Sequence, residues 1–303
     1  MDRSVDGDAP RSGLQDRPPA PDLHRPDAHA LRTDRGAVDI QRVCWIDGRL
    51  APLDEPVVRG DDSAFSEGRG CYTAMRVRAG RPRFAERHAQ RLRRNARALR
   101  IGDLHEASLL RAFAELASAA FGDTDGILRF QASRDGEGRT HVVGVPRALE
   151  ADRSEWSAIV APFSHEGFTP YGGCKVSSRL FHALAYEAAC DAGGDEAVLF
   201  DAAGRLVEGS RSNLFVVAAS GELATPPLER GAVDGIARGV ILERIAGVAE
   251  ADVGRAELAA ARELIAVNAV RGACPITALD GRPVADGRPG PWAERLDEAL
   301  AKD

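Results

Sequence analysis

The sequence is almost without lysine. Its 40 lysine and arginine residues include two lysines, Lys175 and Lys302. Ordinary surface cations are supplied by arginine, whose guanidinium keeps its proton and cannot react as an amine. Lys302 is the penultimate residue, whereas Lys175 lies mid-chain, just before an apolar, alanine-rich helical pattern. A single internal lysine is either a chance survivor of codon bias or a nucleophile or base that arginine cannot replace.

Several other features are missing. The five cysteines are odd in number and form no Cys-x-x-Cys pair, which argues against a disulfide framework and a zinc site, so no metal is expected. No apolar run approaches the length of a membrane span, and the start lacks a secretory pattern. The net charge is −6 and the arginines are dispersed. We therefore expect a cytoplasmic protein without membrane or nucleic-acid partners.

A chain of 303 residues can hold two ordinary domains. Residues 1–38 are rich in Asp, Arg and Pro with hardly an apolar cluster, which predicts a disordered extension. Mixed hairpins and helices predict a small α+β domain over 39–164. A Gly/Pro/Ser-rich passage over 165–173 predicts an interdomain linker, and 174–303 the larger domain.

Local patterns predict the elements. Asp47-Gly48 between two short apolar runs predicts a hairpin, because that turn needs positive φ at both residues. The other predicted helices and strands have these approximate bounds: helices 86–99, 106–120, 178–190, 235–248 and 292–300, and strands 126–133, 140–146, 157–162, 196–200, 206–208, 213–217 and 263–267.

Four ordered motifs carry a resemblance: the lysine segment Gly172-Gly-Cys-Lys-Val-Ser-Ser-Arg-Leu180, Asp195-Glu-Ala-Val-Leu-Phe-Asp201, Glu208-Gly-Ser-Arg-Ser-Asn-Leu-Phe215 and Gly235-Ile-Ala-Arg238. Together they resemble the class IV aminotransferases, the fold-type IV pyridoxal-phosphate (PLP) enzymes. The resemblance implies a two-domain α+β fold like that of D-amino acid aminotransferase. A small α+β domain would precede a larger β-barrel-like domain with flanking helices. It also implies PLP as cofactor and a homodimer with the site near the interface.

The resemblance assigns roles to two residues. Lys175 corresponds to the catalytic lysine that binds PLP covalently and later moves the α-proton of the substrate. Glu208 corresponds to the carboxylate beside the ring nitrogen, which keeps that nitrogen protonated. The alternative for Glu208 is a side chain that merely faces solvent after a hairpin.

Other residues correspond to the family's phosphate contacts. Arg91, in His88-x-x-Arg91-Leu92, would hold the dianion with its forked donors, although it is also one of many helix-surface arginines. The amides of Ile236 and Ala237 at a helix start favour an anion. Asn268 and Ala269, after a strand, would supply a further contact.

Arg134 is the candidate for binding a substrate carboxylate. It ends a predicted strand, before a glycine-containing turn that lines the mouth of the site in the family. A solvated hairpin arginine is the alternative.

Three details resemble the 4-amino-4-deoxychorismate lyases more than the transaminases: Gly70-Cys-Tyr-Thr-Ala-Met-Arg-Val77, the segment Lys175-x-x-Ser-Arg-Leu180, and Asn268-Ala-Val-Arg-Gly-Ala-Cys-Pro-Ile276. The branched-chain enzymes carry tyrosine where this chain has Leu180. The lyase, which releases 4-aminobenzoate and pyruvate, is therefore the first expectation, although Ser178 and Ala74 depart from its pattern. The substrate would be aminodeoxychorismate, or an amino acid if the chain is a branched-chain or D-amino acid aminotransferase. A catalytically silent PLP-binding or dimerisation scaffold is the alternative outside enzymes.

Overall fold

The computed structural model describes residues 41–151 and 153–302. The predicted disordered extension over 1–38 lies outside the described residues. The helices are α1 Ser63–Glu67, α2 Ala85–Ala98, α3 Glu106–Phe121, α4 Leu180–Asp191, α5 Ile236–Arg244, α6 Arg255–Ala259 and α7 Pro291–Ala301. The strands are β1 Val43–Ile46, β2 Arg49–Pro52, β3 Cys71–Arg78, β4 Arg81–Pro82, β5 Gly126–Arg134, β6 Thr140–Arg147, β7 Trp156–Val160, β8 Glu196–Phe200, β9 Leu206–Gly209, β10 Asn213–Val217, β11 Leu223–Thr225, β12 Ala249–Glu250, β13 Glu263–Asn268, β14 Gly272–Leu279 and β15 Arg282–Pro283.

The first sheet has six strands in the order β2-β1-β6-β5-β3-β4, all antiparallel. Its apolar face packs against α2 and α3, where Leu92, Phe113 and Leu116 are fully buried. The strands alternate buried and partly exposed positions, as expected of a sheet covered on one face. The predicted hairpin between β1 and β2 is confirmed, with φ of 46° at Asp47 and 105° at Gly48.

The second sheet is mixed and has nine strands: β12-β11-β10-β13-β14-β7-β8-β9, with β15 paired to β14. Strands β8, β10 and most of β13 are buried along their length, because side chains cover both faces. One face carries the cluster around Val198 and Leu264, and the other packs on α5 and α7 through Val240 and Leu296. The predicted α+β class is confirmed.

The division between the two sheets falls earlier than the predicted linker. Strand β7, which the sequence analysis assigned to the first domain, pairs in parallel with β14 and β8 of the second sheet. The last strand of the first sheet is β6, which ends at Arg147. The described residues, 41–151 and 153–302, belong to one compact unit. A two-domain division with a linker over 165–173 stays a prediction.

Helix α5 is shorter than predicted, and strand β14 is among the elements that were not predicted. Helix α5 ends at Arg244, since Ile245 takes an extended conformation with φ of −114° and ψ of 111°. Strand β14 was not predicted, because Pro275 inside it removes a donor. The structure accommodates this proline because β7 pairs with β14 from Ile276 onward.

Among the described residues, none of the helices combines the length and the apolar character needed to cross a membrane. The expected cytoplasmic location stays a prediction.

Gly144 on β6 allows the first sheet to pack. A Cβ atom there would lie 2.4 Å from Phe130 Cζ and 2.9 Å from Leu116 Cδ2. We expect Gly144→Ala to lower the free energy of unfolding by about 1–3 kcal/mol, as overpacked cores do, measured by urea denaturation. In Phe130→Leu the smaller side chain should relieve the clash, so the double variant should lose less than the sum of the two. Strict additivity would contradict this explanation.

Candidate active site

A cavity of about 760 Å³ lies between residues of the first and second sheets. This volume is in the range of small-molecule sites. Except for Arg134, every predicted site residue lines it: Lys175, Glu208, Arg91, Ile236, Ala237, Asn268 and Ala269. Residues separated by up to 178 positions in the chain therefore converge, as the family resemblance implied.

The lysine segment is held against the start of β3. Tyr72 N–H donates to Lys175 O at 2.9 Å, and Ser177 N–H donates to Gly70 O at 2.8 Å. The approach is close: a Cβ atom at Gly70 would lie 2.6 Å from Ser177 Oγ and 2.7 Å from Ala64 Cβ. Glycine at position 70 therefore lets the backbone of Lys175 pair with the first sheet.

The amine of Lys175 lies in a cationic, desolvated part of the cavity. Its Nζ is 4.9 Å from the ring centroid of Tyr72. Burial lowers the pKa of Lys175, and the nearby Arg91 and Arg179 lower it further, against the opposing effects of Tyr72 and Glu208. A lysine with a lowered pKa keeps a larger neutral fraction, which is the form that attacks a carbonyl or accepts a proton.

Tyr72 is surrounded by cations. The guanidinium carbons of Arg129 and Arg179 lie 4.0 and 5.3 Å from its ring centroid. Burial raises the pKa of Tyr72, but Lys175, Arg179 and Arg129 outweigh that effect and leave it lowered. No role was predicted for Tyr72, Arg129 or Arg179. Nothing in the local pattern separates Arg129 and Arg179 from the other arginines of the chain.

Glu208 on β9 is 3% exposed, so the alternative of a solvent-facing side chain is wrong. Val233 N–H donates to Oε2 at 2.9 Å, and His182 Nε2 lies 2.9 Å from Oε1. The carboxylate is thus oriented by groups from two other segments. Neither partner was identified from the sequence: His182 lies outside the quoted motifs, and Val233, two residues before Gly235, bonds through its backbone N–H.

Arg91 on α2 is 4% exposed. Its Nη2 donates to Thr73 Oγ1 at 2.7 Å, while its Nε has no hydrogen-bond partner in the described structure. Burial lowers the pKa of Arg91 to about 10. Within the described ranges it forms no ion pair with a carboxylate. A buried guanidinium without a counterion is suited to an anionic ligand.

Helix α5 begins at the same cavity. Its N-cap is Gly235, which supplies no side-chain hydrogen bond to the first turn, so the first amides lack a side-chain cap. The N-terminal amides and the helix dipole favour an anion there. A Cβ atom at Gly235 would lie 1.9 Å from Asn213 Oδ1, which fixes glycine at this position.

Asn268 ends β13 and Ala269 follows it, and both line the cavity. Asn268 Oδ1 accepts from Val270 N–H at 3.0 Å and from Arg271 N–H at 2.8 Å. The side-chain oxygen therefore closes the turn after β13. A contact from this segment to an anion would come from an N–H group.

Arg134 is not brought to the cavity. Its Nη1 donates to Arg100 O at 3.3 Å, and its own N–H donates to Ser63 Oγ at 3.1 Å. The side chain is thus directed along the first sheet toward the loop after α2. Arg129, five residues earlier on β5, lines the cavity, and a role of Arg134 in binding a substrate carboxylate stays a prediction.

The residues present fit PLP by their chemistry. A buried guanidinium with no carboxylate partner among the described residues, together with a helix start that lacks a side-chain cap, suits a phosphate. An oriented carboxylate suits a protonated ring nitrogen, and a lysine with a lowered pKa suits a carbonyl carbon. The groups suited to the phosphate, to the ring nitrogen and to the carbonyl carbon all line the same cavity. Pyridoxal phosphate is the cofactor expected of such a set.

A family model described as amino-transferase class IV matches residues 70–279. The chain belongs to this family. A probable branched-chain-amino-acid aminotransferase of Aquifex aeolicus is 31% identical over 121 residues, which is 38% of this chain and 39% of that protein. A branched-chain-amino-acid aminotransferase of Pseudomonas aeruginosa is 33% identical over 120 residues, 38% of each chain. The chain therefore matches less than half the length of these two relatives.

A D-alanine aminotransferase of Bacillus licheniformis matches over more of the chain. It is 26% identical over 273 residues, which is 84% of this chain and 94% of that protein. These relatives are named aminotransferases, so the expected closeness to 4-amino-4-deoxychorismate lyase is not supported by them. The coarser expectation, a class IV aminotransferase-family enzyme, is confirmed.

Solved structures show the same fold. A branched-chain aminotransferase from Thermoproteus uzoniensis, solved with norvaline, has a TM-score of 0.77 and 27% identity, covering 88% of this chain and 96% of that one. A PLP form of the Thermobaculum terrenum branched-chain aminotransferase has a TM-score of 0.75 and 21% identity, covering 88% and 96%. At 21% identity, the similarity to the Thermobaculum terrenum structure is evidence for the fold only. The predicted fold-type IV architecture is confirmed.

The lowered pKa of Lys175 predicts how the protein without cofactor takes up PLP. The rate of covalent uptake should rise with pH, with a midpoint below the ordinary lysine value of 10.5, because the neutral amine is the attacking form. Absorbance in a stopped-flow pH series measures it. Arg179→Gln should raise the midpoint by removing a like charge, whereas Arg111→Gln on the surface of α3 should not. A midpoint at or above 10.5 would contradict the environment described.

Gly235 provides a second test. We expect Gly235→Ala to weaken PLP binding by about tenfold or more, because its Cβ displaces Asn213 and shifts the start of α5. Gly239→Ala, in the same helix with nothing within 4 Å of the added Cβ, is the matched control and should bind normally. Fluorescence titration of the cofactor-free protein measures both. Equal affinities would show that the start of α5 does not contact the cofactor.

Proposed function

We propose that this chain is a PLP-dependent aminotransferase that moves an amino group from an amino acid to a keto acid. The observation that carries the proposal is the convergence of Lys175, Glu208 and Arg91 on one cavity with the start of α5. The family membership supports it. The intact lysine and its lowered pKa speak against a catalytically silent scaffold, which has no need of a reactive amine.

In the proposed reaction PLP supplies an electron sink for the carbon that loses its proton. Arg91 and the amides of Ile236 and Ala237 hold the phosphate. The Glu208 carboxylate accepts the hydrogen bond of the protonated ring nitrogen. Lys175 Nζ would act as the base that takes the α-proton of the substrate and holds it for return during transamination.

Arg129 and Arg179 are the proposed contacts of the substrate carboxylate. Both lie beside Tyr72, whose ring is also near Lys175 Nζ. Burial lowers the pKa of Arg129 to about 10, and neither arginine forms an ion pair within the described part of the chain. Two arginines beside the same ring as the reactive amine favour a ligand that brings a carboxylate.

The relatives indicate the substrates to try first. Their names refer to branched-chain amino acids and D-alanine, and the Thermoproteus uzoniensis structure was solved with norvaline. These names apply to those proteins. For this chain we propose an amino acid with a small or branched apolar side chain, of either configuration.

The test is a half-reaction of the PLP-loaded protein with single amino acids. We expect L-valine, L-leucine or D-alanine to convert the absorbance of bound PLP to that of the aminated cofactor, with release of the matching keto acid. Lys175→Ala should reduce the rate at least about a thousandfold. A PLP-loaded protein that converts no amino acid of either configuration would refute transamination.

The lyase reaction remains the second candidate. Arg147 lines the cavity together with Arg129 and Arg179. Several arginines favour the lyase substrate, because it carries two carboxylates. Leu180, in place of the tyrosine of branched-chain enzymes, is 72% exposed and offers no hydroxyl. Formation of 4-aminobenzoate and pyruvate from 4-amino-4-deoxychorismate, lost in Lys175→Ala, would establish it.

The proposed assembly is a homodimer. Large apolar side chains near the cavity are exposed, including Phe168 at 70%, Tyr171 at 42% and Leu180 at 72%. Their burial against a second copy would remove apolar surface from water.

A further inference from the structure

Three ionisable side chains meet on one side of the cavity: His165, His182 and Glu208. They come from the loop after β7, from the first turn of α4 and from β9. Their ligand-type atoms lie within 4.8 Å of one another. His182 Nε2 is 2.9 Å from Glu208 Oε1, and His165 Nε2 is 4.0 Å from the same oxygen.

The hydrogen bonds of His165 argue against a metal site. Gly167 N–H donates to His165 Nδ1 at 2.9 Å, so the proton of the neutral ring is on Nε2. A metal bound at Nε2 would need the lone pair of that nitrogen. Burial also lowers the pKa of His165, so the neutral form is favoured. The group is therefore a hydrogen-bond cluster around Glu208.

The direction of the contact between His182 and Glu208 follows from the chemistry of the two groups. An ionised carboxylate only accepts, so His182 Nε2–H donates to Oε1. Val233 N–H donates to the other oxygen at 2.9 Å. A carboxylate held at one oxygen can rotate about its terminal bond, since that torsion is broad. Donors at both oxygens fix the plane of the carboxylate.

The His182 ring is itself restrained. It stands edge-on to the His165 ring, with centroids 5.8 Å apart and planes at 76°. Phe181 packs edge-on against His165 at 5.4 Å. The donor is thus held by packing, as a group must be to fix the position of a second one.

We propose that His182 is a positioning residue that fixes the Glu208 carboxylate toward the ring nitrogen of the cofactor. This inference rests on the proposed function, because it presupposes that Glu208 faces that nitrogen. His182 acts through Glu208 and does not touch the reacting atoms. Nothing in its neighbourhood of the sequence marks it for this role.

The test compares the affinity of the protein for PLP and for an analogue that has C–H in place of the ring nitrogen. We expect His182→Leu to weaken PLP binding about tenfold, the effect of one hydrogen bond to a charged group, and to leave the affinity for the analogue unchanged. His182→Gln, which keeps a donor near the position of Nε2, should restore PLP binding. His105→Leu, on the surface before α3, is the matched control.

The inference would be overturned if His182→Leu bound PLP as tightly as the wild type. It would also be overturned if His182→Leu lost equal affinity for PLP and for the analogue, because equal losses indicate a general structural role. If His182→Leu does not fold, His182→Asn serves instead. Its shorter amide does not reach Oε1, so it should lose affinity where Gln keeps it, and equal affinities of the two would refute the proposal. Wild-type protein that binds no PLP would refute the proposed function itself.

Discussion

The site depends on a short backbone pairing between the lysine segment and the first sheet. Tyr72 N–H donates to Lys175 O, and Ser177 N–H donates to Gly70 O. This pairing brings together the two sides of the cavity: Arg91, Arg129 and Tyr72 on the first sheet and its helix, and Glu208 and α5 on the second. Its geometry requires glycine at position 70, since any Cβ there meets the lysine segment.

The charge distribution of the cavity follows from this pairing of the lysine segment with the first sheet. The cavity wall carries arginines, one lysine and one buried carboxylate, so the amine of Lys175 is among like charges in a desolvated space. The same surroundings that favour its neutral form also favour anionic groups of a ligand. Reactivity of the lysine and attraction for phosphate and carboxylate groups therefore have a common physical origin.

Much of this could be predicted from the sequence. The unique internal lysine, the segment after Glu208 and the Gly235-Ile-Ala turn are local patterns, and the structure brings them to one cavity. Arg134 was proposed because it ends a strand before a glycine-containing turn, whereas Arg129, within the same strand, carries no local signal, and only the path of β5 decides which of the two faces the cavity. His182 and Val233 were missed because each meets Glu208 across distant segments of the chain, His182 through its ring and Val233 through its backbone N–H. Strand β14 was missed because Pro275 is atypical of a strand within a sheet.

Arg91 has a consequence for the behaviour of the chain as a whole. A guanidinium that is 4% exposed and lacks a counterion in the described structure costs folding free energy, which an anion in the cavity recovers. Folding and cofactor binding are then linked by mass action, because a ligand that binds the native state alone stabilises it in proportion to the logarithm of its concentration. Cells short of the cofactor would hold less of the folded protein as well as less of the loaded one.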